Sequence, residues 1–424
     1  MAIGWALGGT SPVRTNQLTR RIHLNHGTVC PESNKHYSGF VRKILIAAGL
    51  LVLTLIIGGA YAFHRIDSQL ARDSREKLAK LEPRVLIGTA RFTRSVFYKG
   101  EGLGAVTEIL FGWPADREGA ALTVVGNLGA HFLDRSGLLK KQVRFSKDFR
   151  CPVNVARLNA SGEYGFLTRD ESWAFDATLL DERGQVRWNY HENIAQAVDD
   201  SVGDDFDGNG QFHVVIGFNG SGGILLLDNE GKKIWQKPDG NVWHVETLDV
   251  NGDGRKEILH SNARGQLLVR DGNGQIIAQY LPDHYVTDFA LTRWGTESQA
   301  NHILIPSKES HGGCCKPVVL VLDASGKTTA RFDAPLGDLM YRTQGTPVHF
   351  STEAPYYAVL QTIGPLNRSM VFIYDAEGKI TYQEILGDTC FAIASMPERN
   401  GDRLLIGCSG NVLEYDAVTS VTQH

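Results

Sequence analysis

Oxygen-bearing side chains on alternate residues are the clearest chemical signal in this chain. Asp249, Asn251, Asp253 and Glu257 occupy positions 1, 3, 5 and 9 of a D-x-N-x-D-G-x-x-E stretch. That spacing turns the side chains toward one point. Gly254 permits the sharp turn and the Arg255 carbonyl adds an oxygen, the donor set that a hard cation such as Ca²⁺ takes. Asp205, Asp207 and Asn209 repeat the pattern, with the Gln211 carbonyl, but His213 stands in place of the final acid. Asn159, Ser161 and Glu163 form a weaker echo. The stretch is not an EF-hand, because no Glu follows at position 12 and strand-like residues flank it. The plainer alternative is a set of Asx-rich hairpin turns. If metal binds, the expected ion is Ca²⁺ in a structural role.

Other chemistry is sparse. The chain has no G-x-S-x-G elbow, no H-E-x-x-H, no C-x-x-C and no phosphate loop, since GKKIW and SGKTT lack the upstream Gly. His191-Glu192 and the His244/Glu246 pair read as strand residues rather than ligands. No catalytic residue is assigned, and an enzyme is the less favoured reading. Repeat folds of this kind gather active groups from several units at a central channel, so sequence alone leaves that location open.

The elements that carry these loops repeat. An apolar strand, an Asp-x-x-Gly turn and a second strand recur at Asp134/Gly137, Asp181/Gly184, Asp228/Gly231, Asp271/Gly274, Asp323/Gly326 and Asp375/Gly378. Asp416 continues the series without its Gly. The Asp residues are 47, 47, 43, 52, 52 and 41 apart. A period of 40–50 residues with four short strands predicts an all-β, seven-bladed β-propeller, with six to eight blades allowed, over residues 85–424. In each turn Asp accepts a bond from an N–H two residues on and Gly takes the left-handed position. Residues 85–99 precede the first blade and can supply an outer strand that closes the ring.

Residues 44–63 carry no charge over 20 positions, the length of a bilayer-spanning helix. Residues 1–43 hold six basic side chains against Glu32, a net +5 that leaves −9 for the rest of a chain totalling −4. The basic arm predicts a single-pass membrane protein with the arm in the cytoplasm and the remainder outside, in the periplasm or at the cell surface. The segment reads as an uncleaved signal anchor; Ala60-Tyr61-Ala62 keeps open a cleaved signal and a secreted product. Residues 64–84 read as a helical stalk. Residues 1–40 lack any periodicity, and translation starting at the codon for Val41 is an alternative. An acidic body without a basic stripe excludes nucleic acid as partner. Outside the cytoplasm thiols meet oxidising conditions. Cys390 and Cys408 straddle a hairpin and are disulfide candidates, as are the adjacent Cys314 and Cys315.

Blades three and four, DDFDGNGQFHVVIGF and LDVNGDGRKEILHS, resemble FG-GAP (VCBS-type) propeller repeats. The resemblance is specific over about 70 residues and implies structural calcium on the face opposite the ligand. Asp181 to Trp188 and Asp228 to Trp235 are similar to the D-x-x-G-x-x-x-W signature of quinoprotein (PQQ-like) propellers and of related non-catalytic scaffolds. There the Trp packs between blades, and Cys314-Cys315 matches the vicinal pair that such enzymes can hold against the quinone. The expectation is a calcium-stiffened, non-catalytic extracytoplasmic binding or scaffold propeller recognising a protein or glycan. The alternative is an extracytoplasmic quinone-dependent dehydrogenase or other propeller enzyme.

Overall fold

The computed structural model describes most of residues 78–417, leaving aside 89–91, 170–174, 192–196, 207, 294–300, 312–313, 336–341, 351–354 and 364–365. Before residue 78 it describes only residues 45, 46, 48–52, 54, 58, 65 and 76, all helical. The apolar segment 44–63 thus lies largely outside the described residues. Among those described, no helix is long and apolar enough to cross a membrane. The chain divides into two units, Met1–Glu76 and Lys77–His424.

The second unit is a seven-bladed β-propeller. Five blades are antiparallel four-stranded sheets built from consecutive strands, starting at Val106, Val153, Val198, Val242 and Ala290. Blade six, Arg342–Leu386, gains a fifth, outermost strand from Arg84–Ile87. Blade seven takes three strands from 392–417, and its outer strand is Phe92–Lys99 from the other end of the propeller. The ring therefore closes through the segment that the sequence marks for that role, which leaves no open edge between first and last blades. The same closure explains the irregular seventh repeat. Asp416 lies inside strand Asn411–Ala417, whose neighbour arrives from the N-terminal side, so no hairpin and no turn Gly are needed there.

First strands of successive blades touch one another and surround the axis. Middle strands are covered on both faces by neighbouring blades, so they read as apolar runs such as ILLL at 224–227, buried throughout. Outer strands such as Val186–His191 keep solvent-facing polar residues. The core is correspondingly divided. Each junction between neighbouring blades holds its own apolar cluster, as with Val214, Ile216 and Leu225 against Leu167 and Leu179 between blades two and three.

The Asp-x-x-Gly turns lock these junctions. Asp228 Oδ1 accepts from the N–H groups of Glu230 (2.9 Å) and Lys232 (2.8 Å), and Gly231 sits at φ 78°. Asp134, Asp181, Asp271 and Asp323 make the same pair of bonds. The outer strand of one blade leans on the turn of the next. Trp188 Nε1 donates to the Asn229 carbonyl at 3.1 Å, and Trp235 Nε1 to that of Gly272 at 2.9 Å. Tyr280 Oη donates to the Ala324 carbonyl at 2.6 Å. A Cβ on Gly231 would meet the Trp188 ring at 2.9 Å, and one on Gly326 the Tyr280 ring at 2.4 Å. The Trp residues are thus interblade packing residues.

Gly231→Ala combines left-handed strain of ~1–2 kcal/mol with overpacking of ~1–3 kcal/mol. It is expected to cost about 3 kcal/mol in urea denaturation. Gly240 has a similar φ of 75° but open space around its Cβ position, so Gly240→Ala should cost only about 1 kcal/mol. Equal losses at the two sites would show that the ring contact contributes nothing.

Candidate functional site

Two features concentrate polar chemistry: the acidic loops that link the first and second strands of blades three and four, and the channel along the axis. They meet at blade four. Its first strand, Val242–Leu248, lines the channel and runs directly into the Asp249 loop.

In that loop Asp249 accepts from the N–H groups of Gly252 (2.6 Å) and Gly254 (2.9 Å). Asn251 accepts from the N–H of Asp253, and Asp253 from that of Arg255, both at 2.8 Å. The Asn251 amide lies 3.3 Å from both Asp253 and Glu257. Burial raises the Glu257 pKa, and the charges of Asp253 and Asp249 push it further up. Oxygen donors are therefore close and short of positive charge, in keeping with a hard cation. Yet Asn251 turns its NH₂ rather than its oxygen toward Asp253 and Glu257. Among the described residues no three acidic, His or Cys side chains are gathered into a metal-holding group.

The blade-three loop is built alike. Asp205 Oδ2 accepts from Gly210 N–H at 2.8 Å, while its buried Oδ1 has no hydrogen-bond partner. Asn209 accepts from the Gln211 N–H at 2.7 Å. His213 keeps a buried, unpartnered Nδ1, and Asp207 lies outside the described residues. In blade two, Asn159 accepts from the N–H of Glu163 at 3.1 Å. The three loops abut: a Cβ on Gly208 would meet the Gly254 carbonyl at 2.9 Å, and one on Gly210 the Ala160 Cβ at 2.7 Å.

The channel cavity measures about 1530 Å³ and takes lining residues from blades one to six. Three of its acids bridge successive blades by accepting free N–H groups of the next blade's first strand. Glu108 takes that of Val155 at 2.6 Å, Asp200 that of Val245 at 3.1 Å, and Asp288 that of Thr343 at 3.0 Å. Asp204 is held by Thr247 Oγ1 (2.6 Å) and Lys256 Nζ (2.5 Å). Asp199 lies beside Arg169 and accepts from Asn219 at 3.3 Å, and burial raises its pKa to about 6.

Glu246 differs. It accepts no hydrogen bond among the described residues, and its nearest partner is His244 Nε2 at 3.6 Å. His244 Nδ1 bonds Asp200. Burial alone would lower the His244 pKa, but Asp200, Asp288 and Glu246 together hold it up at about 9. Burial raises Glu246 to about 7, against the opposing charges of His244 and Arg342. Glu108 is likewise raised to about 7, first by burial and then by the charge of Glu246.

Sequence reasoning took His244 and Glu246 for ordinary strand residues; the structure places both in the channel. It missed Glu108, Asp200, Asp288 and Arg342 altogether. Their only sequence signal is a polar residue on or just before a first strand, and only the ring shows that those positions share an axis. Cys390 and Cys408 form a disulfide with an S–S distance of 2.05 Å. The backbone at Cys314-Cys315 continues a strand of blade five, and their side chains lie outside the described residues. Cys151 is a buried free thiol. A separate buried network, in which Asp239 binds Arg270 (2.5 Å), Arg264 (3.1 Å) and Asn262 (3.1 Å), braces blade four.

Fold and channel together define the class of this molecule, a seven-bladed β-propeller with a charged axial cavity. No family model matches the chain, and no curated protein matches it. Solved structures similar to it include BBS1N in complex with ARL6DN, at 12% identity and TM-score 0.48 over 80% of this chain and 98% of that one. The Pan2 WD40 domain of Neurospora crassa matches at 11% identity and TM-score 0.48 over 80% and 99%. BamB from Moraxella catarrhalis matches at 17% identity and TM-score 0.40 over 81% and 93%. Likeness at this level concerns the fold alone.

The raised channel carboxyls set a pH dependence. The folded chain holds protons that the unfolded chain releases above the ordinary glutamate range. Their contribution to stability is therefore fully present below about pH 4.5 and is lost as pH rises through about 7. The thermal midpoint is expected to fall between about pH 4.5 and 7. Glu246→Gln should flatten that fall and raise the midpoint at about pH 8. Because the Glu246 side chain is 29% exposed, channel water screens part of the effect. An unaltered slope in the variant would mean that Glu246 titrates as an ordinary glutamate.

Proposed function

We propose that this chain is a non-catalytic, extracytoplasmic binding or scaffold propeller of FG-GAP (VCBS) type. In this reading calcium stiffens its acidic loops, and its channel receives a protein or glycan partner. The observation that carries the reading is the axial cavity, lined from six blades and larger than the ~300–1,000 Å³ of ordinary small-molecule sites. It is open enough to admit a segment of a partner.

Topology supports the division of labour between the faces. The acidic loops follow the first strands, whereas Trp243 and the 281–289 connection lie where the first strand of blade four begins. Calcium at Asp249, Asn251, Asp253, the Arg255 carbonyl and Glu257 would therefore brace the face opposite that mouth. A weaker ion at Asp205, Asp207, Asn209 and the Gln211 carbonyl would brace its neighbour. The buried unpartnered Asp205 Oδ1 and the raised Glu257 support an absent positive charge. The Cys390–Cys408 disulfide supports an oxidising compartment. The charge-free segment 44–63 supports attachment to a membrane.

Elemental analysis and thermal melting of the full chain, before and after chelation, test the reading. One or two bound calcium ions, and a midpoint that drops on chelation, are expected by mass action. Asp249→Ala should abolish most of that drop. Absence of calcium would reduce the loops to Asx turns. A visible chromophore in the purified chain would instead favour the quinone-dependent enzyme.

A further inference from the structure

The channel mouth carries two aromatic residues, Tyr285 exposed and Trp243 half-buried. Tyr285 is 61% exposed and lines the cavity with Trp243, their rings 6.3 Å apart. Both are held in place. Tyr285 Oη donates to the Ala263 carbonyl at 3.2 Å, and its ring lies over Gly265, where any Cβ would stand 2.2 Å from it. With the Asn241 amide turned so that its oxygen faces the indole, Trp243 Nε1 donates to it at 3.2 Å and the amide NH₂ donates to Asp199 at 3.1 Å. Rigid aromatic faces at a rim offer contact area with little ordering cost.

Below this rim the cavity is acidic. Among the described residues Glu108, Asp200, Glu246 and Asp288 face His244 and Arg342, with Arg169 also acting on Asp200. The other lining cations, Arg169 and Lys256, are engaged by Asp199 and Asp204. Glu108, Asp200 and Asp288 already accept backbone N–H groups, whereas Glu246, on the same strand as Trp243, accepts no hydrogen bond among the described residues.

Resting on the binding reading above, we propose that the channel takes a basic protein segment. A Lys or Arg side chain would lie across the paired rings of Trp243 and Tyr285 and place its cationic head on Glu246. Aromatic faces attract a cation through their negative centres, and a carboxylate inside a partly desolvated cavity adds a charge-assisted hydrogen bond. A neutral glycan would stack on the rim and could donate hydroxyls to Glu246, but it brings no positive charge to the acidic cavity. A hydrated metal ion would satisfy Glu246 but has no use for the rim.

The test measures binding of a capped tetra-arginine peptide to the full chain by calorimetry, with capped tetra-glutamate and a neutral glucose tetrasaccharide as controls. Tetra-arginine should bind and tetra-glutamate should not. Glu246→Gln, an uncharged isostere, and Trp243→Ala should each weaken binding by about tenfold or more. Glu230→Gln, an exposed acid outside the cavity, should leave it unchanged. Equal weakening by Glu230→Gln would overturn the proposal in favour of attraction to the acidic body as a whole. Binding of the tetrasaccharide alone would overturn it while leaving the channel a binding site. No binding by any probe would overturn it outright, and the calcium measurement then bears on the broader reading by itself. A melt of each variant confirms that a lost signal is not lost folding.

Discussion

Each blade is a sheet with two apolar faces, and neither face can be left in water. The contact on which the structure depends is therefore the junction between one blade and the next. Its recurring element is an outer-strand ring laid against a left-handed glycine, as with Trp188 on Gly231 and Tyr280 on Gly326. The glycine is needed twice at the same atom. The turn requires a positive φ, and the neighbour requires the absence of a Cβ. The Asp of each turn then fixes the hairpin from inside by accepting two backbone N–H groups, so that the surface offered to the ring is rigid.

At the axis the constraint changes from packing to hydrogen bonding. First strands have a neighbour on one side only, and their outward N–H groups would go unsatisfied in the channel wall. Glu108, Asp200 and Asp288 meet that need by reaching across to the next blade. Acidic lining is thus partly a structural consequence of closing the ring. The residues that go beyond this need are the informative ones: Glu246 without a hydrogen bond among the described residues, His244 with its pKa held up by its acid neighbours, and the two rings pinned at the rim.

In the reading proposed above, the two ends of blade four's first strand would have different jobs. Trp243 opens it, His244 and Glu246 turn into the channel, and Asp249 begins the acidic loop at its far end. Stiffness at that loop would pass along a strand only seven residues long to the groups lining the cavity. A loop ion and a channel ligand would therefore be linked through one rigid element.

The sequence by itself determined the repeat, because Asp and Gly at a turn act locally: each hairpin needs only its own residues to close. For the same reason the Asx geometry of the Asp249 and Asn159 loops was legible, as was the pairing segment near residues 85–99. The tertiary structure decided the rest. Which strand completes blade seven depended on where the ring closes, and this alone explains why Asp416 lost its Gly. The channel site was illegible because Glu108, Asp200, Glu246, Asp288 and Arg342 come from five blades spread over more than half of the chain. Each looks like an ordinary polar residue on or beside a strand. Only circular closure brings them to one axis, where burial and mutual repulsion give them properties that no local stretch of sequence encodes.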